Sequence, residues 1–311
     1  MATDAGEDPA VAVVGSYNHG LSMAVDSFPA PGETVLGGDF VEGVGGKGSN
    51  QAVGAARLGA AVSFVGCLGN DRFGASAVEL WAEEGVDAEY VRRTDETHTG
   101  VGFVIVDDDG ENAISVAPGA NSHLSPADVR AAREPLRSAD VLLCQLETDL
   151  DPVIEAARLA ADAGTEVILN PAPARDLPES LLEHVDVLTP NRGEACLLTD
   201  RKPTADVSAT ELLDSLSGLG VETTVLTLGS DGALVDDGET RAHVDAVDVE
   251  IVDTTGAGDA FNAGVAVARA EAQSIVEAAR FGCVCGGLSC TTFEVVPALP
   301  DRAAVDAFET E

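Results

Sequence analysis

The segment Asp253-Thr-Thr-Gly-Ala-Gly-Asp-Ala-Phe-Asn262 has an arrangement suited to phosphoryl transfer. Gly256 and Gly258 let successive backbone N–H groups converge where a helical run begins. The partial positive charge of a helix N-terminus favours phosphate or a developing oxyanion. Asp259, placed there, can take a proton from an attacking hydroxyl while those N–H groups stabilise the group in transfer. The same residues also read as a glycine turn followed by an acidic first-turn residue that only stabilises its helix. The rest of the chain has to decide between the two.

Three further segments bear on that choice. Gly45-Gly-Lys-Gly-Ser-Asn50 superficially resembles a phosphate-binding P-loop but departs from it: Gly48 follows Lys47 where Ser or Thr is required, and Val41 stands at the first glycine position. Glycines at a helix entrance instead suit close backbone approach to a small ligand, with Asn50 offering both donor and acceptor. Lys47 is one of two lysines in the chain, the other being Lys202. A lysine kept between glycines in so acidic a chain reads as meeting an anionic or polar group, against the plain alternative of a solvated turn residue. In Asn191-Arg-Gly-Glu194, an Asn and a Glu three residues apart can hold magnesium-bound water near phosphates, or form an ordinary capping box. Thr227-Leu-Gly-Ser-Asp-Gly232 is a strand end entering a glycine turn, where open α/β sheets bind ligands and where simple β-turns also occur. Gly15-Ser-Tyr-Asn-His-Gly20 is not the Gly-x-Gly-x-x-Gly dinucleotide fingerprint.

The elements that must position these residues alternate. Val11–Val14, Ala61–Val65, Val141–Cys144, Val167–Leu169, Val185–Leu188 and Thr224–Leu228 read as short buried strands. Between or after them lie helical stretches at Ser49–Leu58, Ala75–Glu84, Pro152–Ala163, Ala209–Leu219, Ala260–Ala270 and Ile275–Cys290. This alternation predicts an α/β fold with a parallel sheet flanked by helices on both faces. Two regions break the rhythm. Residues 20–42 look like extended chain with turns, and residues 97–118 like a β-hairpin whose turn is the acidic run Asp107–Asn112. We expect a small β element, 20–42 plus 97–118, inserted into an α/β body of 11–19, 43–96 and 119–311, after a disordered acidic tail at 1–10.

Composition narrows the function classes. The 311 residues include 54 Asp and Glu against 17 Lys and Arg, a formal net charge of −37. Such a surface repels nucleic acid and anionic membranes, so neither is an expected partner. A hydrophobic fraction of 45% excludes a disordered acidic chain. Scattered carboxylates on a folded protein suit concentrated salt, and a halophilic source is the expectation. It predicts reversible loss of structure at low salt, and full stability in dilute buffer would exclude it. With no apolar run of about 20 residues and no signal peptide at the start, a cytoplasmic location is expected. Cys283, Cys285 and Cys290 suggest either a metal or redox cluster or buried reduced thiols; the latter suits apolar surroundings such as Val141-Leu-Leu-Cys144.

In this order and spacing the four segments resemble the ribokinase (PfkB) family of sugar and nucleoside kinases, over nearly the whole chain. Gly15-Ser-Tyr-Asn18, Pro31-Gly-Glu-Thr34, Gln145-Leu-Glu147 and Asn170-Pro-Ala-Pro-Ala-Arg175 add to the likeness. The resemblance implies a Rossmann-like (ribokinase-like) α/β domain with a small β-sheet lid. It implies ATP-dependent phosphorylation of a small sugar at a primary hydroxyl, with Asp259 as base and Gly256, Ala257 and Gly258 as anion hole. It places Asn18, Gly46, Lys47, Asn50 and Glu147 at the sugar, and Asn191, Thr227, Gly229 and Gly232 at the nucleotide. Glu194 matches the residue that helps position magnesium through water, and Asp253 and Thr255 match part of a potassium site. A homodimer through the lid is implied as well. Two departures stand out: Gly20 where the family carries a sugar-gripping aspartate, and Glu294 where the cation loop carries glycine. The first opens the acceptor to ribose 1-phosphate, fructose, 2-keto-3-deoxygluconate or a nucleoside. For a phosphorylated sugar, Lys47, His19 and Arg175 are the candidate phosphate contacts. A non-catalytic sugar- or nucleotide-binding protein is the competing class.

Overall fold

The computed structural model describes residues 8–38, 40–107, 112–204 and 206–309. Most of the acidic N-terminal tail and most of the acidic turn expected at Asp107–Asn112 therefore lie outside the described residues.

Thirteen strands are described. They are β1 (Ala10–Val14), β2 (Asn18–Ala24), β3 (Phe40–Gly45), β4 (Ala61–Gly69), β5 (Val91–Thr94), β6 (Val101–Val106), β7 (Asn112–Ala117), β8 (Val141–Cys144), β9 (Glu166–Leu169), β10 (Val187–Leu188), β11 (Thr223–Thr227), β12 (Ala233–Asp236) and β13 (Arg241–Val244). Nine form one sheet in the order β13-β12-β11-β10-β9-β8-β1-β4-β5. Pairing is parallel from β11 to β5, and β12 and β13 are added antiparallel at one edge. The central strands read as unbroken apolar runs because both faces are covered. Successive side chains on a strand point to opposite faces. Val11, Val13 and Leu143 accordingly enter one core, and Ala12, Val14 and Leu142 the other.

The helices are α1 (Lys47–Arg57), α2 (Arg72–Glu83), α3 (Pro126–Ala131), α4 (Arg133–Ser138), α5 (Leu150–Ala161), α6 (Glu179–Leu182), α7 (Arg192–Leu198), α8 (Ala209–Leu216), α9 (Ala257–Ala270), α10 (Ile275–Ser289), α11 (Val295–Ala298) and α12 (Arg302–Glu309). Residues of α1, α9 and α10 fill the first core, and residues of α3 to α8 the second. Val185 and Asp186 precede β10 rather than belonging to it, and the Asp186 carboxylate accepts from Val167 N–H at 2.7 Å.

Helices α1 and α9 cross in close contact. A Cβ at Gly54 would lie 2.8 Å from Ala263 Cβ, so only a glycine lets these helices approach this closely. One turn back from that contact, four residues on each helix, stand Asn50 and Asp259.

The two regions that broke the strand–helix rhythm form a separate four-stranded sheet in the order β3-β2-β6-β7. β2 pairs antiparallel with β3 and parallel with β6, and β7 closes a hairpin on β6. Its strands reach back to Asn18 and forward to Gly45, past the expected span of 20–42. The fold is thus an α/β sheet with helices on both faces and a smaller sheet set apart as a lid. No helix among the described residues is long and apolar enough to cross a membrane.

Candidate active site

The residues singled out in the sequence gather past the C-terminal ends of the parallel strands, where open α/β sheets bind ligands. Asn18 follows β1, Glu147 follows β8, Asn191 follows β10, and the Gly229–Gly232 turn follows β11. Asp259 sits in the first turn of α9 and is buried.

The α9 N-terminus is built by Gly256, whose φ of 83° lies in the left-handed region. A Cβ there would come 2.4 Å from Val295 Cγ1, so the turn demands glycine for both conformation and space. Gly258 is exposed and nothing lies within 4 Å of where its Cβ would be. A ligand can therefore come close to the backbone of this turn, where the helix dipole is positive.

Both oxygens of the Asp259 carboxylate accept hydrogen bonds from α1. Asn50 Nδ2 donates to Oδ2 at 2.8 Å, and Gln51 Nε2 donates to Oδ1 at 2.9 Å. The Oδ1 atom of Asn50 is buried and finds no hydrogen-bond partner among the described residues. A buried acceptor of this kind invites a donor such as a sugar hydroxyl.

A second cluster centres on Glu147. Ser16 Oγ donates to its Oε2 at 2.5 Å, Lys47 N–H at 2.9 Å and Asn18 Nδ2 at 3.3 Å. Asn18 Oδ1 is in turn held by Asn121 Nδ2 at 2.9 Å. Gly46, the N-cap of α1, lies against the backbone of Asn18. Lys47 joins the two clusters. The carboxylate of Asp259 holds its ammonium above the usual lysine value against the opposing effect of burial, with Glu147 and Glu194 adding to the rise. An ammonium in the field of three carboxylates stays charged.

Asn191 and Glu194 form the capping box that the sequence allowed. Asn191 Oδ1 accepts from Glu194 N–H at 2.8 Å, and Glu194 Oε2 accepts from Asn191 N–H at 2.9 Å. The cap does not exhaust Glu194: burial pushes its carboxyl up, and it sits within electrostatic range of Lys47 and Asp259. Thr227 is bridged to Asn191 and donates its N–H to Pro190 O at 2.9 Å, which ties two predicted nucleotide residues together. The turn from Gly229 to Gly232 comes directly after. Beside it opens a cavity of about 550 Å³ lined by Arg192, Leu228, Ser230, Asp231, His243 and Ala246. Asp253 Oδ1 accepts from Thr255 N–H at 2.9 Å, ahead of the α9 turn.

His19 is turned away from this group. Its ring stacks on Phe73 with centroids 4.1 Å apart and bonds Glu42 at 3.2 Å. Strand alternation puts its neighbours Asn18 and Gly20 on the opposite face. Arg175 donates to Leu146 O at 3.0 Å, next to Glu147. The six cysteines are buried and form no disulfide with one another, and burial pushes the Cys144 thiol up to about 12. Sequence reasoning missed Ser16, Asn121 and above all Gln51. Gln51 adjoins Asn50, but adjacent residues on a helix point in different directions, and only the approach of α1 to α9 brings both to one carboxylate.

A family model described as pfkB family carbohydrate kinase matches residues 8–302. A ribokinase from Haemophilus influenzae is 40% identical over 290 residues, covering 93% of this chain and 95% of that protein. A ribokinase from Bacillus subtilis is 36% identical, covering 95% and 98%. Among solved structures, ribokinase from Thermotoga maritima aligns with a TM-score of 0.88 at 32% identity, covering 97% of this chain and all of that one. Arabidopsis thaliana ribokinase complexed with ribose and ATP gives the same TM-score and identity, covering 97% and 98%. A glycine-built helix N-terminus, a buried carboxylate held from two sides and a lid sheet beside it thus occur in a chain that belongs to the pfkB family of carbohydrate kinases, which phosphorylate sugars at the expense of ATP.

Proposed function

We propose that this chain transfers the γ-phosphoryl group of ATP to a primary hydroxyl of a small sugar, D-ribose first among the candidates, with Asp259 as the base. The observation that carries this reading is the double hydrogen bond from Asn50 and Gln51 to Asp259 at the start of α9. It holds one carboxylate, as an acceptor, beside backbone N–H groups that favour negative charge. The hydroxyl proton passes to Asp259 while its oxygen bonds to phosphorus and the bond from phosphorus to ADP breaks. The turn Gly256, Ala257 and Gly258 acts as the anion hole for the phosphoryl oxygens in flight. Lys47 adds its charge there. Asn18, Gly46, Asn50 and Glu147 hold the sugar; Asn191, Thr227, Gly229 and Gly232 hold the nucleotide.

No cluster of three or more His, Cys, Asp or Glu suited to a metal occurs among the described residues. Magnesium would be carried by the phosphates and stay largely hydrated, with Glu194 holding one of its waters, and when bound it would neutralise phosphate charge. Asp253 and Thr255 supply oxygens of the type a potassium ion takes. A homodimer through the lid is supported by exposed apolar side chains there, among them Phe40 and Phe103. ATP supply is consistent with a cytoplasmic location.

The test is Asp259→Asn, assayed by ADP release with D-ribose, magnesium and high potassium. Turnover is expected to fall about 1000-fold, within the range a positioned base supplies, while ribose and ATP affinities stay within a few-fold. Near-normal turnover would remove Asp259 as the base. A panel adding ribose 1-phosphate, fructose, 2-keto-3-deoxygluconate and nucleosides fixes the acceptor. Silence across the whole panel would favour a sugar- or nucleotide-binding role.

A further inference from the structure

Behind Asp259 lies a buried run of amides whose hydrogen-bond direction is set by the backbone. Gln51 is fully buried and Gln145 is 1% exposed, and Asn170, Thr189 and Asn262 are buried with them. Burying an amide costs stability unless its donors and acceptors are matched, and in this run every amide oxygen and nitrogen but Gln145 Oε1 has a partner. The backbone oxygen of Thr189 can only accept. Asn170 must therefore present Nδ2 to it, at 3.2 Å, which turns Asn170 Oδ1 towards Gln51. Gln51 must then present Nε2 on that side, and it gives this group to Asn170 Oδ1 at 3.2 Å and to Asp259 Oδ1 at 2.9 Å. Its Oε1 is filled by Gln145 Nε2 at 2.5 Å. On the far side Thr189 Oγ1 donates to Asn262 Oδ1, and Asn262 Nδ2 donates to Gly258 O at 2.7 Å, which closes the run onto the α9 turn.

The donors along Gln145, Gln51 and Asp259 all point towards the carboxylate, and a carbonyl that cannot reverse fixes that direction. Oδ1 of Asp259 consequently always faces an N–H donor. With one lone pair of Oδ1 held by Gln51 and one of Oδ2 by Asn50, the plane of the carboxylate is fixed, and a remaining lone pair is left to take the hydroxyl proton. We infer that Gln51 is a positioning residue for the phosphoryl transfer, acting through Asp259, with Gln145 as its support. The inference rests on Asp259 being the base. Gln51 itself need not touch the substrate; Asn50, which also holds Asp259, has a free Oδ1 for that.

The experiment is a kinetic comparison of Gln51→Met, Gln51→Glu and Gln145→Met, each alone and with Asp259→Asn, using D-ribose and magnesium ATP. Gln51→Met keeps the length and removes the donor, and kcat is expected to fall about 30-fold, as for a reacting group displaced by a fraction of an ångström. KM for both substrates should stay within about twofold, because the loss lies in the transition state rather than in binding. Gln51→Glu keeps the shape but sets a carboxylate against a carboxylate, and should fall further than Gln51→Met. Gln145→Met, one bond removed, should lose about threefold and keeps the test available if the Gln51 variants fold poorly. In the Asp259→Asn background, Gln51→Met should add less than about twofold, since residues acting as one unit are not additive. Wild-type kcat in Gln51→Met, a rise in KM with kcat unchanged, or a full 30-fold loss repeated on top of Asp259→Asn would each overturn the inference. Near-normal turnover in Asp259→Asn alone would instead place the failure in the assignment of the base.

Discussion

At the α9 N-terminus each oxygen of Asp259 has its own donor, and the helices that carry them meet at a glycine. On the lid sheet, Gly20 pairs with Gly43 on one side and Gly102 on the other, so three glycines stand side by side. A Cβ at Gly20 would come no nearer than 3.7 Å to Gly43 O, and nothing lies within 4 Å of a Cβ at Gly43 or Gly102. One region is fixed by buried neighbours on every side, and the other is left open on the face that Asn18 shares. Chemistry common to a family needs the first arrangement, because a base displaced by a fraction of an ångström loses rate. Choice of acceptor needs only the second, where a single side chain can appear or vanish without disturbing the core.

The sharpest way to break the closed region is Gly256→Ala. Holding alanine at a φ of 83° costs about 1–2 kcal/mol, and its methyl group would collide with Val295 at 2.4 Å. The turn must shift, and the N–H groups of Gly256, Ala257 and Gly258 shift with it. We expect kcat to fall about 100-fold, as when an oxyanion-stabilising donor is lost, with a lower melting temperature. A variant with wild-type kcat would show that the geometry of this turn does not serve the reaction.

The difference between the regions also explains what could be read from the sequence. Asp259, Gly256, Lys47 and Asn50 were legible because each stands in a glycine-rich junction between elements, where the chemistry is local. Gln51 was not, since its partner is 208 residues away and the contact depends on the Gly54–Ala263 crossing. The central strands were legible from continuous apolar runs. The edge strands β5 and β13 were not, because Val91-Arg-Arg-Thr94 and Arg241-Ala-His-Val244 carry too many polar residues to stand out. The small sheet announced itself only as a break in rhythm. The parallel pairing of β2 with β6 joins segments about 80 residues apart, and no local pattern encodes such a partner.

Gly20→Asp tests the open region. The side chain has room, so folding stability should change by less than about 0.5 kcal/mol. If the sheet face that Gly20 shares with Asn18 reads the sugar, a carboxylate there should accept from its hydroxyls and lower KM for D-ribose about tenfold, the scale of one hydrogen bond to a charged group. The kcat should hardly move, because the new contact is made equally in the ground and transition states. An unchanged or higher KM for D-ribose would mean that the missing carboxylate is not what tunes the acceptor, and the choice would then lie with Glu147 and Asn50.

The smallest effect is expected at Glu294→Gly, at the margin of the closed region. Glu294 has a φ of 68° and a ψ of 153°, a conformation almost confined to glycine, and it stands directly before Val295, the residue against which Gly256 packs. A non-glycine residue held there costs about 1–3 kcal/mol. Glycine removes that cost but gives back part of it through the greater freedom of the unfolded chain. The net gain should be about 1 kcal/mol, a rise of about 2 °C in Tm for a chain of this size. Activity at saturating potassium gives the second readout. If Glu294 only bears strain, Glu294→Gly should be more stable with kcat unchanged. If its carboxylate faces a cation beside Asp253 and Thr255, the variant should gain stability and yet need more potassium for half-maximal rate. Strain kept at a residue that neither binds a cation nor shapes the turn would have no function to set against it, so a variant that is more stable and otherwise identical would mark Glu294 as tolerated rather than used.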